Sequence, residues 1–199
     1  MEILVTVSIL TIVSGVTFGA MRIYDISLSM GTTKAYLSAQ ANQALSKMVG
    51  ELGLSSKARV YDTATLNPSP PPAYNVPFSE GVLVSEIAFM IPLKGSQGID
   101  ALGNIVWGDG GESGTNLNGQ LKYYVGTDSK PNQFIRDNFS SGGGLDISKR
   151  RILANDISSV QFTLSGNSLT ITVIASKAMQ RGNIPALSVP MSARVDFRN

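Results

Sequence analysis

The feature that most constrains this chain is an uncharged apolar run near its N-terminus. From Ile3 to Met21 the sequence reads ILVTVSILTIVSGVTFGAM, nineteen residues without a charged side chain. As an α-helix this run is about 28 Å long, close to the hydrocarbon thickness of a bilayer. Glu2 precedes the run, and Arg22 and Asp25 follow it. The run therefore predicts a helix that needs lipid or other protein around it.

The helical pattern continues beyond this run and becomes one-sided. Apolar side chains recur at spacings near three and four residues, or at their sum, while Lys34, Lys47 and Glu51 lie on other faces. The recurring apolar positions are Ile23, Ile26, Met30, Leu37, Ala41, Leu45, Met48 and Leu52.

The predicted helix covers residues 1–54, with an apolar part at 1–21 and an amphipathic part at 22–54. No proline occurs before Pro68, and Gly53 offers a C-terminal stop. Such a helix is roughly 75–80 Å long, too long to be buried by a domain of this size. We therefore expect the amphipathic part to lie on a globular head and the apolar part to protrude into lipid or into copies of itself.

Three interpretations of the apolar run compete. A cleaved signal peptide would begin with basic residues, and Glu2 has the opposite charge. A plain membrane anchor explains the apolar run, and a carboxylate at a helix N-terminus interacts well with the helix dipole. The third interpretation, an assembly helix, also takes account of the amphipathic continuation.

Downstream, the sequence predicts a connector at residues 55–81 and a β-rich head at residues 82–199. The proline-rich stretch at 67–77, NPSPPPAYNVP, is stiff and favours neither a helix nor a central strand. The strand candidates before the last third of the chain are Val82–Leu93, Gln120–Val125 and Gln133–Arg136.

The clearest β signal is a hairpin over Ser159–Ser176. Apolar and polar residues alternate on both sides of Gly166-Asn167, a dipeptide typical of tight hairpin turns. A last strand, Ser188–Phe197, alternates in the same way. A long helix laid by its C-terminal half on an antiparallel sheet satisfies this order, which predicts an α+β fold.

Composition offers little support for an enzyme. The chain has no cysteine and no histidine, which excludes thiol nucleophiles, thiolate metal sites and the usual base of a hydrolytic triad. The net charge is +2, from 16 basic and 14 acidic residues. The basic triplet Lys149-Arg150-Arg151 has no flanking aromatic residues, so we expect it to be solvated and not to bind nucleic acid.

One loop has the composition of a calcium site. The stretch GDGGESGTNLN is rich in oxygen donors, which are the ligands that calcium prefers. Its candidate ligands are Asp109, Glu112, Asn116 and Asn118. The spacing does not match an EF-hand, and a solvated turn is the competing interpretation. No other cofactor is expected.

Residues 1–10, MEILVTVSIL, resemble the start of mature type IV pilins and type II secretion pseudopilins. In that family a glutamate stands before an apolar helix. The resemblance implies a pilin-like α+β head and identifies Glu2 as the family glutamate. It also implies that Ile3–Ala20 lies in the membrane before assembly and in the filament core afterwards. The assembly residues it implies are Glu2, Ile3, Leu4, Val5, Ile9, Leu10, Val13 and Phe18.

The resemblance further implies partners and processing. The partners are copies of the chain or other pilin-like subunits, first in the cytoplasmic (inner) membrane and then in a periplasmic or extracellular filament. A prepilin peptidase would cut a leader from the precursor, and the new N-terminal amine would be methylated. This sequence begins inside the motif, so the processing site lies outside it. Glu2 would pair with a neighbour's N-terminal amine and select the axial register, with helix capping as the alternative role.

A second resemblance covers roughly Ala154–Asn199. A hairpin, a longer connection and a closing strand are similar to J-type minor pseudopilins and W-type minor pilins. Together with the chain length, this favours a minor filament subunit over the major subunit of an extracellular pilus. The rival class is a single-pass membrane-anchored module whose β-rich head captures a surface ligand, a sugar or DNA.

Overall fold

The computed structural model describes residues 2–62, 78–92, 99–105, 107–108, 120–126, 131–139, 145–179 and 185–197. In chain order its elements are α1 (Glu2–Leu52), a 3-10 turn (Lys57–Arg59), β1 (Val60–Asp62), β2 (Leu83–Val84), β3 (Ile87–Pro92), β4 (Trp107–Gly108), β5 (Gln120–Gly126), β6 (Gln133–Phe139), β7 (Leu145–Ala154), β8 (Ile157–Ser165), β9 (Ser168–Lys177) and β10 (Leu187–Asp196). One long helix and antiparallel strands make this an α+β protein, as the sequence predicts.

The predicted single helix is confirmed, including its C-terminal end. The helix α1 runs without a break from Glu2 to Leu52. The Gly53 N–H then donates to the Val49 carbonyl at 2.9 Å, and the Ser55 N–H donates to the Leu52 carbonyl at 2.9 Å. These bonds satisfy carbonyls that the last turn leaves without a helical partner, so the chain leaves the helix at the predicted glycine.

The head contains two antiparallel sheets where the sequence led us to expect one. The first sheet has the order β1-β3-β5-β6-β7, with β4 also pairing with β3, and the second has the order β10-β9-β8-β2. The helix α1 contacts β9 and β10 of the second sheet and β3 and β7 of the first. The larger of the two hydrophobic clusters among the described residues is therefore shared by the helix and both sheets.

The predicted strand at Val82–Leu93 is two strands in different sheets. Leu83 and Val84 pair with β8, and the chain then crosses at Ser85-Glu86 to form β3, which pairs with β5. A continuous β-rich sequence does not reveal that crossing, because both halves have the same composition. The strand β1 lies within the stretch predicted as connector and pairs with β3, while residues 67–77 lie outside the described residues.

The strand β7 was not predicted, and it contains the basic triplet. Two register shifts interrupt its pairing with β6, so its side chains do not alternate simply between two faces. The expectation that the triplet is solvated is wrong for Arg150, whose side chain is 19% exposed and pairs with Asp137. The alternation of residue types in the sequence does not predict which side chains are buried where register shifts interrupt a strand pair.

The predicted hairpin is confirmed in position and register. Ser165 pairs with Ser168, which leaves Gly166-Asn167 as a two-residue turn. Gly166 has a φ of 59°, a left-handed backbone conformation that glycine adopts without a Cβ clash. The last strand is also confirmed, because β10 pairs along its whole length with β9.

Candidate functional site

The N-terminal half of α1 stands outside the head. Between Ile3 and Met21, every large apolar side chain is more than half exposed, from 56% at Val7 to 82% at Ile3. The exposed set includes all the apolar assembly residues that the resemblance implies, namely Ile3, Leu4, Val5, Ile9, Leu10, Val13 and Phe18. So much contiguous apolar surface marks a membrane or protein interface.

Four of the five hydroxyl side chains in this segment hydrogen-bond within the helix. Four Ser and Thr side chains donate to the carbonyl four residues earlier, with oxygen–oxygen distances of 2.8–2.9 Å. These bonds run from Thr6 to Glu2, Ser8 to Leu4, Thr11 to Val7 and Thr17 to Val13. Since these hydroxyls need no water, the segment can enter lipid or a bundle of helices without leaving them unsatisfied.

By length and composition, α1 is able to cross a bilayer. Its most apolar window is not buried at all against the rest of the protein. This property distinguishes it from the core helix of a globular domain, which has its apolar surface covered. The helix is therefore compatible with single-pass anchoring in a membrane.

Glu2 lies in the first turn of α1, where the sequence places it. Its side chain is exposed, and it makes no ion pair with any other part of the chain that the structure describes. A partner for this carboxylate must therefore come from outside the described residues if the helix is buried.

Only the last part of the amphipathic stripe docks on the head. Leu37, Ala41 and Met48 are fully buried, but Ile23 is 71% exposed and Met30 is 38% exposed. The expectation that the whole part 22–54 lies on the head is therefore wrong for its first four turns. Burial of the helix against the head begins only at Leu37.

A polar junction fixes α1 where it leaves the head. The Lys177 ammonium lies 4.8 Å from the centre of the Tyr36 ring and 3.6 Å from the Asp156 carboxylate. Burial and the Asp156 carboxylate raise the pKa of Tyr36. One turn later, the Asn155 N–H donates to the Gln40 side-chain oxygen at 2.8 Å. These contacts set the direction in which the exposed half projects.

A second polar cluster fixes the other end of the docked half. Glu51 Oε2 accepts hydrogen bonds from Tyr123 Oη at 2.6 Å and from Arg136 Nε at 2.9 Å. Sequence analysis placed Tyr123 in the strand candidate Gln120–Val125, and the structure buries its ring fully. It missed the role of Glu51, because partners 72 and 85 residues away leave no local pattern.

On the opposite face of the first sheet, Asp137 is completely buried and ion-paired. Its carboxylate accepts from Arg150 Nε and Nη2, each at 2.9 Å, and from Tyr124 Oη at 2.8 Å. A guanidinium bound through two nitrogens compensates the buried charge. This cluster braces β5, β6 and β7.

The candidate calcium ligands fall between β4 and β5 in the chain. Asp109, Glu112, Asn116 and Asn118 all lie outside the described residues. Among the residues that the structure does describe, no group of three or more carboxylates, imidazoles or thiols is arranged to hold a metal. The calcium site stays a sequence prediction.

Comparisons with known proteins leave the family open. No protein-family model, no curated protein and no solved structure matches this chain. What the protein does is therefore inferred from its own residues, of which the exposed half of α1 is the most informative.

Proposed function

We propose that this protein is a subunit of a type IV pilus-like filament or a type II secretion pseudopilus, and that it polymerises through α1. The observation that carries the proposal is the exposed apolar half of a helix whose other half is docked on a packed head. A head that already has its own core does not need this half for folding. Its apolar surface is thus available for other molecules.

Assembly into a filament explains more of the exposed apolar residues of α1 than anchoring in a membrane does. A bilayer covers a helical length of about 30 Å, which the run from Ile3 to Met21 already fills. Ile23 and Met30 lie beyond that length and are exposed on the isolated chain. In a plain anchor they would stay in water, whereas in a filament neighbouring subunits would cover them.

Glu2 has a specific role in this proposal. A carboxylate buried in an apolar bundle costs several kcal/mol unless it is paired. Pairing with the N-terminal amine of a neighbouring subunit removes that cost in only one axial register. Glu2 would therefore select the register in which subunits add, and the apolar assembly residues would supply the packing.

The proposed life cycle begins in the membrane. The subunit is held in the cytoplasmic membrane by α1 after a prepilin peptidase has processed its precursor, and it then moves into a periplasmic or extracellular filament. Its partners are copies of itself or other pilin-like subunits. We place it as a minor subunit, and quantitative immunoblotting of sheared filaments tests that role: a chain that forms most of the filament mass would be the major subunit instead.

The experiment that tests the proposal replaces Glu2 with Ala in the full chain, expressed in its native host. Filaments are sheared from the cells, and the fraction of the chain in them is compared with the fraction left in membranes. Most of the incorporation is expected to be lost. Lys47→Ala is the matched control, because Lys47 is an exposed charge on the same helix.

Incorporation that is unchanged by Glu2→Ala would overturn this role of Glu2. The absence of the wild-type chain from filaments, together with its full recovery in membranes, would favour the rival class, a membrane-anchored module with a ligand-binding head. Glu2→Gln separates the charge from the shape of the side chain, since it keeps the size and removes the carboxylate.

A further inference from the structure

The two sheets of the head separate along a seam where the chain crosses between them. The strand β2 pairs with β8 only at Thr163 and Phe162. The chain then leaves the second sheet at Ser85-Glu86, and β3 begins to pair with β5 at Tyr123. Past those two points, β5 and β8 face each other without a strand between them in the described part of the chain. The seam opens there into a pocket.

This seam pocket is small and has a mixed lining. Its volume is about 150 Å³, and three serines, a glutamate, a tyrosine and two valines line it. Pockets for drug-sized ligands have volumes of about 300–1,000 Å³, so this one fits a single small unit, such as one sugar ring. Its polar lining residues are Ser85, Glu86, Tyr124, Ser158 and Ser159.

The charges at the seam pocket cancel each other. The Glu86 carboxylate is ion-paired with the Lys122 ammonium at 2.9 Å. The same ammonium lies 5.1 Å from the centre of the Tyr124 ring. A carboxylate has about four positions that accept hydrogen bonds, so the ion pair leaves Glu86 able to accept others. The seam pocket therefore offers hydrogen-bond donors and acceptors without a net charge.

Ser159 also belongs to the outer face of the second sheet, which is rich in hydroxyl groups. Along β8 and β9, buried side chains alternate with exposed or half-buried ones, and the outer positions of β8, β9 and β10 lie side by side in the register. The Thr172 and Ser192 hydroxyl oxygens, for example, are 3.0 Å apart. The uncharged polar residues of this face include Ser159, Gln161, Thr163, Thr170, Thr172 and Ser192.

The same outer face is electrically neutral in the strands that the structure describes. Its charged side chains are Arg194 and Asp196, which pair with each other at 3.0 Å. Ile174 and Pro190 lie opposite each other and add aliphatic carbon among the hydroxyls. A polyanion such as DNA is bound through cations that neutralise its phosphates, and this face offers none without a carboxylate partner. A neutral polymer with many hydroxyl groups matches it better.

We propose that the seam pocket and the outer face of β8, β9 and β10 bind a neutral polysaccharide. One sugar unit enters the pocket, where its hydroxyls bond to Ser85, Ser159 and Glu86, and the neighbouring units lie along the outer face. Serine and threonine hydroxyls serve such a ligand well, because each one donates and accepts hydrogen bonds. This inference goes beyond the proposed function, since it concerns the head and does not depend on how α1 is used.

Titration calorimetry of the full chain tests the inference, in micelles of a detergent without a sugar head group. The neutral probes are maltoheptaose, cellohexaose and chitohexaose, and an alginate oligomer of similar length is the anionic probe. We expect at least one neutral probe to bind and to bind more tightly than alginate. Equal or tighter binding of alginate, or no binding of any neutral probe at millimolar concentration, would overturn the proposal.

Two substitutions test the position of the site. Ser85 is exposed at the pocket, and Ser85→Trp should weaken binding about tenfold or more, because the new ring occupies the space of the sugar unit. Ser159→Ala removes one hydroxyl and should weaken binding by about two- to tenfold. Ser148→Trp, at an exposed serine of β7, is the matched control. Equal affinities of the Ser85→Trp variant and wild type would contradict the pocket.

Two further measurements keep the outcomes distinct. Thermal unfolding of each variant checks that the head is folded, so a loss of binding at an unchanged midpoint is a loss of the site. Glu2→Ala should leave the affinity for the neutral probe unchanged while it reduces incorporation into filaments. Sugar binding that fails with incorporation intact overturns only this inference, whereas incorporation that does not depend on Glu2 bears only on the proposed function.

Discussion

Tyr123 Oη donates a hydrogen bond of 2.6 Å to Glu51 Oε2, which joins the last turn of α1 to the middle of β5. Arg136 donates to the same oxygen from β6. An acidic residue in the last turn opposes the helix dipole, so Glu51 is stabilised by its two tertiary partners. The two hydrogen bonds to Glu51 therefore stabilise the packing of α1 on the head and do not stabilise the helix itself.

Glu51→Ala should therefore loosen that docking. The variant leaves the Arg136 guanidinium and the Tyr123 hydroxyl without this acceptor in a mostly buried place. Since Glu51 keeps 30% side-chain exposure, we expect a loss of about 2 kcal/mol, below the value for a fully buried pair. Denaturant unfolding of the full chain in detergent micelles, followed by Trp107 fluorescence, measures it. The exposed Lys47→Ala change is the control, and an equal effect of both would contradict the prediction.

The same contact predicts a loss of stability in alkali. Burial, and then the Glu51 carboxylate, raise the pKa of Tyr123 above its ordinary value. Above about pH 10 the unfolded chain releases this proton and the folded chain does not, so unfolding becomes more favourable. The stability is present below pH 10 and falls by up to about 1.4 kcal/mol per pH unit above it. Tyr123→Phe should flatten the slope of unfolding free energy between pH 9 and 11, and an unchanged slope would refute the assignment.

The buried pair of Asp137 and Arg150 should show strong coupling. Asp137→Ala removes a fully buried carboxylate that accepts from Arg150 and Tyr124, with an expected cost of about 3–5 kcal/mol. Arg150→Ala should cost a similar amount, since it leaves that carboxylate without its guanidinium. In a double-mutant cycle the two effects should fall short of additivity by about 1–3 kcal/mol. Additive losses would mean that the pair contributes little.

Two glycines should respond to alanine with opposite signs. Gly166 has a φ of 59°, so Gly166→Ala should destabilise the hairpin by about 1–2 kcal/mol. Gly50 lies in α1 with open space where a Cβ would be, so Gly50→Ala should stabilise by up to about 1 kcal/mol. Thermal unfolding of both variants is the measurement. A stabilising Gly166→Ala would show that the turn has another geometry.

Two truncations on one side of α1 should separate folding from assembly. Leu37 is fully buried and Ile23 is 71% exposed. Leu37→Ala should cost about 2–5 kcal/mol of unfolding free energy, whereas Ile23→Ala should leave unfolding unchanged and reduce the filament fraction. If Ile23→Ala destabilises the isolated chain as much as Leu37→Ala, the Ile23 side chain is covered within the chain.

Much of the architecture was predictable because its causes are local. The end of α1 at Gly53 and the hairpin turn at Gly166 depend on residues within one turn of each other. The tertiary clusters were not predictable. Asp137 meets Arg150 across a strand pair with two register shifts, and a shifted register changes which side chains share a face.

The sequence by itself determined that an uncharged run from Ile3 to Met21 forms a helix in need of lipid or protein partners, because no arrangement of polar neighbours changes its composition. It also determined the α+β class and where the helix ends. Only the tertiary structure decided that the head covers the helix from Leu37 onward, which leaves Ile23 and Met30 exposed. That boundary depends on the lengths of β9 and β10 and on contacts such as Tyr36 with Lys177. The position of that boundary is set by packing between segments that are remote in sequence. The sequence does not reveal it, because the helical pattern of apolar residues continues on both sides of the boundary.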